Sequence, residues 1–530
     1  MRPSGRPREL FEAFSRINAR AFADERLLSC PLLSKAPNYG GVLERFLRQQ
    51  PPPGTAAPAS GPVRLALTAL RYAAANGLHC VFMLFCAMAL RLMGAGSPED
   101  LAGAGPGERL LLLDTFAVLP GIAADGVYQE RYLPGLAEAA KARGWLVLPL
   151  YRLYGSRNPA VAWKALRVLA ASGGLCDLQL LTFADWLLLI RHALLYPFSL
   201  WRLARALRGH EPGSPEFCIR AALLESAGQC VLSGEARRLA GRRLGLLLAA
   251  GRAKRGGEPL LVSWYENQTV NKAFYRGLAQ AEAKSGFHVR TIGAQLFVWP
   301  GALLNNHPDD AEAALGLAPD KALVNGAFFL PEDSARPYAV GPALRYAHLY
   351  EPGRSQPRAP KRNRDEKAGA VLVLLSYHPA ETRRVLKLAL GMARSGQELL
   401  YRFHPATRRE DFADLLPGNA LFSYGALGAA LASASAVLGA GSGTLAEAAA
   451  LGVPVLFADE DEPDLALNYL PEEGRGLFWE RVTRPEDAAA ALERLERARS
   501  SPDHGARAAT LKESLFAEPT ADRIREAFEL

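Results

Sequence analysis

Two segments in the last third of the chain carry residue types suited to binding a phosphate-bearing ligand. YRFHPATRREDF (401–412) ends an apolar run with a histidine-proline pair, and LGAGSGTLAEAAALG (438–452) is rich in glycine. A histidine can donate a hydrogen bond to phosphate, glycines let the backbone approach a ligand closely, and the start of a helix offers free N–H groups. We therefore predict an anion site formed by Arg402, His404, Pro405, Gly441, Ser442, Gly443 and Thr444.

Glu447 follows Thr444 by three residues, and its role has two interpretations. It could close a capping box with Thr444, or it could contact a ribose hydroxyl. The glycine loop is not a GxGxxG sequence and lacks the lysine of a P-loop, which disfavours NAD and P-loop nucleotide chemistry.

A third polar cluster follows the apolar run in LLVSWYENQTVNKAF (260–274). Glu266 is a candidate general base, although a charge at a helix start would also pair with the helix dipole. Asp114, at the end of another apolar run, is the rival base, and Tyr128 is expected in a loop over the same cleft. Aromatic and amide groups suit sugar rings and hydroxyls, so the acceptor or phosphate contacts are predicted to be Tyr128, Trp264, Tyr265, Asn267, Gln268, Asn271 and Lys272.

The elements around these segments alternate between strands and helices, first from about residue 107 and again from about residue 370. This alternation predicts two parallel α/β layers with ligands at the carboxyl ends of the strands. We expect an appendage and linker (1–60), a first α/β domain (61–350) with a helical insertion (about 160–250), and a linker (351–368). A second α/β domain (369–500), which carries the predicted anion site, and a C-terminal helix packing back (501–530) complete the prediction.

Composition narrows the class of protein. The 530 residues exceed what one core needs, and the six scattered cysteines form neither a disulfide framework nor a zinc motif. The net charge of +8 is spread along the chain without a nucleic-acid-binding motif, so nucleic acid is not an expected partner. The apolar segments 77–96 and 183–210 suit either core helices or contact with an anionic membrane surface.

The histidine-proline segment followed by the glycine loop resembles the donor-binding half of a GT-B glycosyltransferase. It is most similar to bacterial transferases that use CMP-activated sialic acid or Kdo. The resemblance covers residues 370–495 and the N-terminal half only in outline. It implies that His404 and Pro405 contact the nucleotide, while Ser442, Gly443 and Thr444 hold phosphate. The GSGT sequence departs from the serine pair usual in that family, which leaves the base of the nucleotide open.

The resemblance implies a fold of two Rossmann-like domains facing a cleft. It implies direct, metal-independent transfer from a CMP-sugar, or alternatively a UDP-sugar, to a polysaccharide or lipid-linked glycan, with no cofactor. WYENQ (264–268) also resembles a stretch in bacterial surface-carbohydrate proteins. The alternatives are an enzyme of the UDP-GlcNAc 2-epimerase type and a non-catalytic polysaccharide-assembly protein. The expected location is the cytoplasm, with the inner face of the plasma membrane as a further option.

Overall fold

The protein consists of two parallel sheets with helices on their faces. A computed structural model describes residues 5–34, 62–98, 101, 108–156, 158–252, 258–299, 303–332, 334, 336–351, 369–405, 407–425, 427–459 and 468–530. The expected linkers at 49–61 and 352–368 lie outside these residues. All six cysteines are free thiols.

The N-terminal sheet has seven parallel strands in the order β3-β2-β1-β4-β5-β6-β7. The central strands are apolar and buried on both faces, as strands of a parallel sheet covered by helices must be. The strands are β1 (Arg109–Val118), β2 (Trp145–Tyr154), β3 (Leu175–Cys176), β4 (Leu260–Trp264), β5 (Arg290–Ala294), β6 (Lys321–Val324) and β7 (Tyr338–Val340).

Ten helices accompany this sheet in the described part of the chain. Most of the residues between β3 and β4 are helical, which forms the insertion. The helices are α1 (Gly5–Ala21), α2 (Pro62–Leu92), α3 (Leu119–Asp125), α4 (Leu136–Lys141), α5 (Pro159–Ala171), α6 (Phe183–Ala206), α7 (Pro215–Glu225), α8 (Leu232–Ala250), α9 (Thr269–Ser285) and α10 (Asp310–Ala314).

The C-terminal sheet has six parallel strands in the order β10-β9-β8-β11-β12-β13. Its strands are β8 (Val371–Leu375), β9 (Leu399–Phe403), β10 (Leu421–Phe422), β11 (Ala436–Gly439), β12 (Val455–Ala458) and β13 (Trp479–Val482). Its helices are α11 (Pro379–Arg394), α12 (Leu427–Ser433), α13 (Thr444–Ala450) and α14 (Pro485–Arg499).

The end of the chain returns to the N-terminal domain through α15 (His504–Leu515) and α16 (Ala521–Phe528). Ala508 of α15 is buried in the C-terminal core, whereas Phe516 and Phe528 are buried in the cores around the N-terminal sheet. The N–H of Ala343 donates to the carbonyl oxygen of Ala517 (2.9 Å), which bonds the segment between α15 and α16 to the N-terminal domain. The tail therefore ties the two domains together.

Both sheets have the strand order of the doubly wound Rossmann fold, in which the direction of winding reverses once. The predicted class, a GT-B-like pair of Rossmann-like domains with a helical insertion and an N-terminal helical region, is confirmed. Helix α6 is a single helix that continues through Pro197. The segment 409–415 is a 3-10 helix with a kink at Phe412.

Candidate functional site

The carboxyl ends of the strands at the two winding reversals face each other across the domain boundary. In the N-terminal sheet the reversal lies between β1 and β4, and Glu266 follows β4. In the C-terminal sheet it lies between β8 and β11, whose ends lead into Tyr377 and the glycine loop. A Cβ atom placed on Gly443 would lie 3.7 Å from Val298 of the N-terminal domain. Ligands of such folds bind at this kind of crevice.

Glu266 is half-buried in this crevice. Burial raises the pKa of its carboxyl to about 7, against the opposing effects of the Gln268 side chain and of the positive charges of Arg345 and Arg152. The Nε2 atom of Gln268 donates to Oε2 of Glu266 (2.8 Å). Burial raises the pKa of Tyr377 and Tyr469 in the C-terminal domain, and the charges of Glu381 and Glu266 add to this effect. A carboxyl with this pKa can accept or give up a proton near neutral pH.

The backbone around Glu266 is held by buried amide side chains. Asn267 has a left-handed backbone (φ 50°), and its Nδ2 atom donates to the carbonyl oxygen of Asn305 (2.9 Å) and to Oε2 of Glu312 (3.1 Å). Asn305 in turn donates to the carbonyl oxygen of Glu266 (2.6 Å), and Asn271 donates to that of Trp264 (2.7 Å). Asparagine tolerates the left-handed region better than most residues, which explains its place in this turn. Asn267 and Asn271 therefore position Glu266.

Lys272 and Tyr265 point into the protein rather than into the crevice. The Nζ atom of Lys272 lies 2.6 Å from Oε1 of Glu312, and both side chains are 1% exposed. The hydroxyl of Tyr265 accepts from Arg336 (3.4 Å). These predicted ligand contacts are buried inside the N-terminal domain.

An aromatic wall lies beside β4. The Trp264 and Phe116 rings meet edge to face at 4.2 Å, and the Arg152 guanidinium lies 4.4 Å from the centre of the Phe116 ring. Tyr128 instead packs against Tyr151, and its hydroxyl donates to Glu130 (2.7 Å). Of these two aromatic pairs, the one that contains Trp264 is therefore the one close to Glu266 in the chain.

Asp114 is enclosed by arginines. Its Oδ2 atom lies 2.7 Å from Nη2 of Arg237 and 3.3 Å from Nη2 of Arg152, and its side chain has no exposed surface. Arg237 also pairs with Asp177 (3.2 Å). This is a buried structural ion cluster, so Asp114 is not placed to meet an acceptor.

The glycine loop carries a steric constraint at Gly441. Gly441 has a left-handed backbone (φ 44°), and a Cβ atom there would collide with the Glu381 carboxylate. The Oε2 atom of Glu381 accepts no hydrogen bond from the described residues, although it is buried. An acceptor in this state suits a ligand hydroxyl or amine, since a buried oxygen without a donor is costly.

The helix that follows the loop, α13, has only seven residues and is capped by Gly443 without a side-chain hydrogen bond. The N–H of Thr444 donates to Oγ of Ser442 (3.3 Å). The predicted capping box between Thr444 and Glu447 does not form, because Glu447 contacts the other domain. Its Oε2 atom lies 2.8 Å from Nε2 of His348.

His404 and Pro405 are exposed at the end of β9. The backbone N–H of His404 donates to the carbonyl oxygen of Leu375 (3.1 Å), and its ring lies 5.4 Å from the Tyr377 ring. Partial burial lowers the pKa of His404, which favours the neutral imidazole at pH 7. Arg402 points elsewhere, since it donates to the carbonyl oxygen of Gly425 (2.7 Å).

The structure therefore brings Glu266, Gly441 and His404 to the crevice, and adds three residues that sequence reasoning missed. Glu381 lies in the first turn of the helix after β8, where the strand-end argument would have found it. Arg345 and Tyr469 gave no local signal, because their positions depend on how the two domains meet. Among the described residues, no three His, Cys, Asp or Glu side chains are grouped to hold a metal ion.

No protein-family model matches the sequence, and no curated relative matches it. Solved structures with a similar backbone include the kitacinnamycin glycosyltransferase, which has 16% sequence identity and a TM-score of 0.39. The alignment covers 80% of this chain and 99% of the glycosyltransferase chain. SnogD, a glycosyltransferase from Streptomyces nogalater, has 18% identity and TM-score 0.38, with coverage of 80% and 100%. MnaA of S. aureus with UDP has 9% identity and TM-score 0.41, with coverage of 79% and 94%. Similarities at this level assign no function.

Proposed function

We propose that this chain is a glycosyltransferase that moves a sugar from a nucleotide sugar to a hydroxyl group of a glycan. The observation that carries the proposal is the position of Glu266: a half-buried carboxyl that follows β4 at the winding reversal of one sheet, on the side where the other domain's glycine loop approaches Val298. A base at that place meets an acceptor from the N-terminal side, while the C-terminal domain supplies the donor site.

The reaction we propose is a direct displacement. As the acceptor oxygen forms its bond to the anomeric carbon, the Glu266 carboxylate takes the hydroxyl proton. The bond between the anomeric carbon and the phosphate oxygen breaks, and the electron pair leaves on the nucleotide. A general base of this kind contributes about 10²- to 10⁴-fold to the rate. The chemistry needs no metal ion or cofactor, because cationic groups can neutralise the departing phosphate.

The donor contacts we propose come from both domains. Glu381 accepts a ribose or sugar hydroxyl beside Gly441, and His404 donates to the phosphate. The Arg345 guanidinium lowers the pKa of Glu266, and we propose that this arginine also meets the leaving phosphate. Ser442, Gly443 and Thr444 complete the loop around it.

A CMP-sugar of the sialic acid or Kdo kind is our first choice of donor, with UDP-sugars as the alternative. This choice rests on the histidine-proline resemblance. The proposed acceptor is a surface polysaccharide or lipid-linked glycan on the cytoplasmic side of the membrane. Trp264 itself is buried, but the exposed ring of Tyr154, which contacts Phe116 beside it, offers a face against which a sugar stacks.

Thermal stabilisation by a panel of CMP-sialic acid, CMP-Kdo and UDP-N-acetylglucosamine tests the donor site. We expect one nucleotide class to stabilise the protein, and Glu381→Gln to weaken that effect by about tenfold in affinity, since a charge-assisted hydrogen bond is lost. Glu410→Gln, at an exposed carboxyl of the same domain, is the matched control. If no nucleotide sugar stabilises the protein, the proposal fails. Formation of the 2-epimer of UDP-N-acetylglucosamine would assign the epimerase alternative instead.

A further inference from the structure

The helical insertion presents an apolar surface that the described part of the chain leaves uncovered. Along α6, large side chains face outward at intervals of three or four residues, which places them on one side of the helix. They include Leu194 and Phe198, which are 68% and 66% exposed. The outward residues of α6 are Phe183, Leu187, Ile190, Leu194, Phe198 and Trp201.

Helix α2 extends this surface. Among the described residues it is the one helix long and apolar enough to cross a membrane (Leu65–Leu92), and only 33% of its most apolar part is buried in the protein. Leu67, Leu70, Leu78 and Val81 are each more than 60% exposed. The two helices are neighbours, because the Tyr72 hydroxyl donates to the carbonyl oxygen of Ala193 (2.8 Å). We call the outward residues of α2 and α6 the apolar face.

The opposite sides of both helices are fixed to the protein. Asn76 of α2 accepts from the N–H of Val231 (3.0 Å), while Met83 and Leu90 are buried in the core. Ser199 of α6 donates to Asp24 (2.6 Å), and Tyr196 is buried. Because one side of α2 is committed to the core, the helix would contact a membrane by lying along its surface rather than by crossing it.

The exposed charged side chains on the helices that form and flank the apolar face are all positive. The described side chains of α2 and α5 include no acid, and the single acid of α6, Asp185, is buried and bonded to Thr182 and Arg242. The exposed charged residues of α2, α5 and α6 are Arg71, Arg91, Lys164, Arg167, Arg191, Arg202 and Arg205. Apolar groups rimmed by cations match an anionic lipid surface, which binds basic residues at its headgroups.

The same charge distribution disfavours a second copy of the chain as the occupant. In a symmetric dimer the same patch meets itself, so the arginines of both copies would be brought together. Like charges across an interface are unfavourable.

A cavity of about 750 Å³ lies at the C-terminal end of α6, between this helix and α1. Its lining includes Trp201 and five basic side chains, which are Arg16, Arg20, Arg202, Arg205 and His210. The two acids that also line it are already paired: Asp24 with Arg26 (3.3 Å) and Glu216 with Arg16 (2.7 Å). The size and charge of the cavity fit a phosphate-bearing headgroup.

We infer that the apolar face docks the protein in the plane of an anionic phospholipid bilayer, with a lipid phosphate seated among Arg20, Arg202 and Arg205. The inference stands on the exposed helices and their charges, and it does not depend on the proposed transferase activity.

Sedimentation with vesicles tests this inference. We expect the full chain to bind vesicles of phosphatidylcholine mixed with phosphatidylglycerol, to bind phosphatidylcholine alone far more weakly, and to be released by high salt. The variant Leu194→Ser/Phe198→Ser should lower binding by at least about tenfold, because apolar insertion is lost. The variant Arg202→Glu/Arg205→Glu should lower it by roughly twentyfold or more, since each basic residue contributes about a fivefold factor at an anionic surface.

The controls place equivalent changes elsewhere. Leu421→Ser and Arg497→Glu alter exposed residues of the C-terminal domain and should leave vesicle binding unchanged. All these positions are exposed, so the variants should fold, and stabilisation by a nucleotide sugar should persist in each. Absence of vesicle binding by the natural chain overturns the inference, as does binding that the α6 variants leave intact. Self-association abolished by Leu194→Ser/Phe198→Ser, without vesicle binding, would assign the face to a second copy.

Discussion

The Nε2 atom of His348 lies 2.8 Å from the Oε2 atom of Glu447, and this contact joins the N-terminal domain to the helix after the glycine loop. Glu447 is largely buried, whereas His348 is about one-third exposed. The pair is therefore one of the contacts that hold the two strand-end regions against each other.

Glu447→Ala should loosen this arrangement, because it removes a partly buried charged hydrogen bond of about 1.5 kcal/mol. We expect the KM for the donor to rise by about three- to tenfold with a smaller change in kcat, and small-angle scattering to show a wider particle. Glu447→Gln, which retains an acceptor oxygen, should lie between this variant and the natural chain. Equal donor KM values for Glu447→Ala and the exposed control Glu486→Ala would show that the contact does not set the domain angle.

Asp114→Asn should destabilise the protein rather than act on the reaction alone. The substitution leaves Arg237 and Arg152 buried without their shared carboxylate, and loss of one partner from a buried ion cluster costs about 3–5 kcal/mol. Urea unfolding should report this loss. The exposed pair of Asp414 and Arg383 provides the control, where Asp414→Asn should cost less than about 1 kcal/mol. A stable Asp114→Asn protein without activity would restore Asp114 as a candidate base.

Gly441→Ala should impair donor binding. The new Cβ atom would meet the Glu381 carboxylate, and the left-handed backbone is itself unfavourable for alanine. We expect donor affinity to fall about tenfold or more, measured by calorimetry. Gly396→Ala is a matched control, because that glycine has φ 86° but open space around it. If both variants bind the donor equally well, the loop is not part of the site.

The raised pKa of Glu266 predicts a dependence of stability on pH. In the folded protein this carboxyl holds its proton up to about pH 7, whereas its ordinary pKa is 4.5. The contribution of this group to the free energy of unfolding is complete below about pH 4.5. It is lost as the pH rises through about 7, because the folded state then carries a half-buried charge. The contribution amounts to at most about 3 kcal/mol, from about 1.36 kcal/mol per pKa unit.

Glu266→Gln should remove this dependence. Urea unfolding at about pH 5 and about pH 8, on either side of the pKa, measures how much the free energy of unfolding changes in the natural chain and in the variant. The exposed carboxyl variant Glu410→Gln should keep the dependence of the natural chain. The assignment fails if Glu266→Gln and the natural chain lose the same stability over this range.

The sequence was sufficient to locate the strand ends, because apolar runs in parallel sheets stop where the polar residues begin. Glu266 and the glycine loop were found in this way. The burial of Lys272 was not predictable, since its partner Glu312 comes 40 residues later in the chain. Arg402 likewise follows a strand, but its guanidinium caps the loop at Gly425. Local sequence predicts that a residue lies at the edge of a sheet. The direction of its side chain depends on packing between segments that are far apart in the chain.

Release of the nucleotide from its sugar is the most direct test of the central role of Glu266. With the donor that stabilises the protein and a hydroxyl acceptor, or water in its place, the rate should rise with pH through about 7, as the carboxylate forms. Glu266→Gln should bind the donor within about twofold of the natural chain but release nucleotide at least about 100-fold more slowly. An undiminished release rate in Glu266→Gln, with donor binding intact, would contradict the assignment of Glu266 as the base.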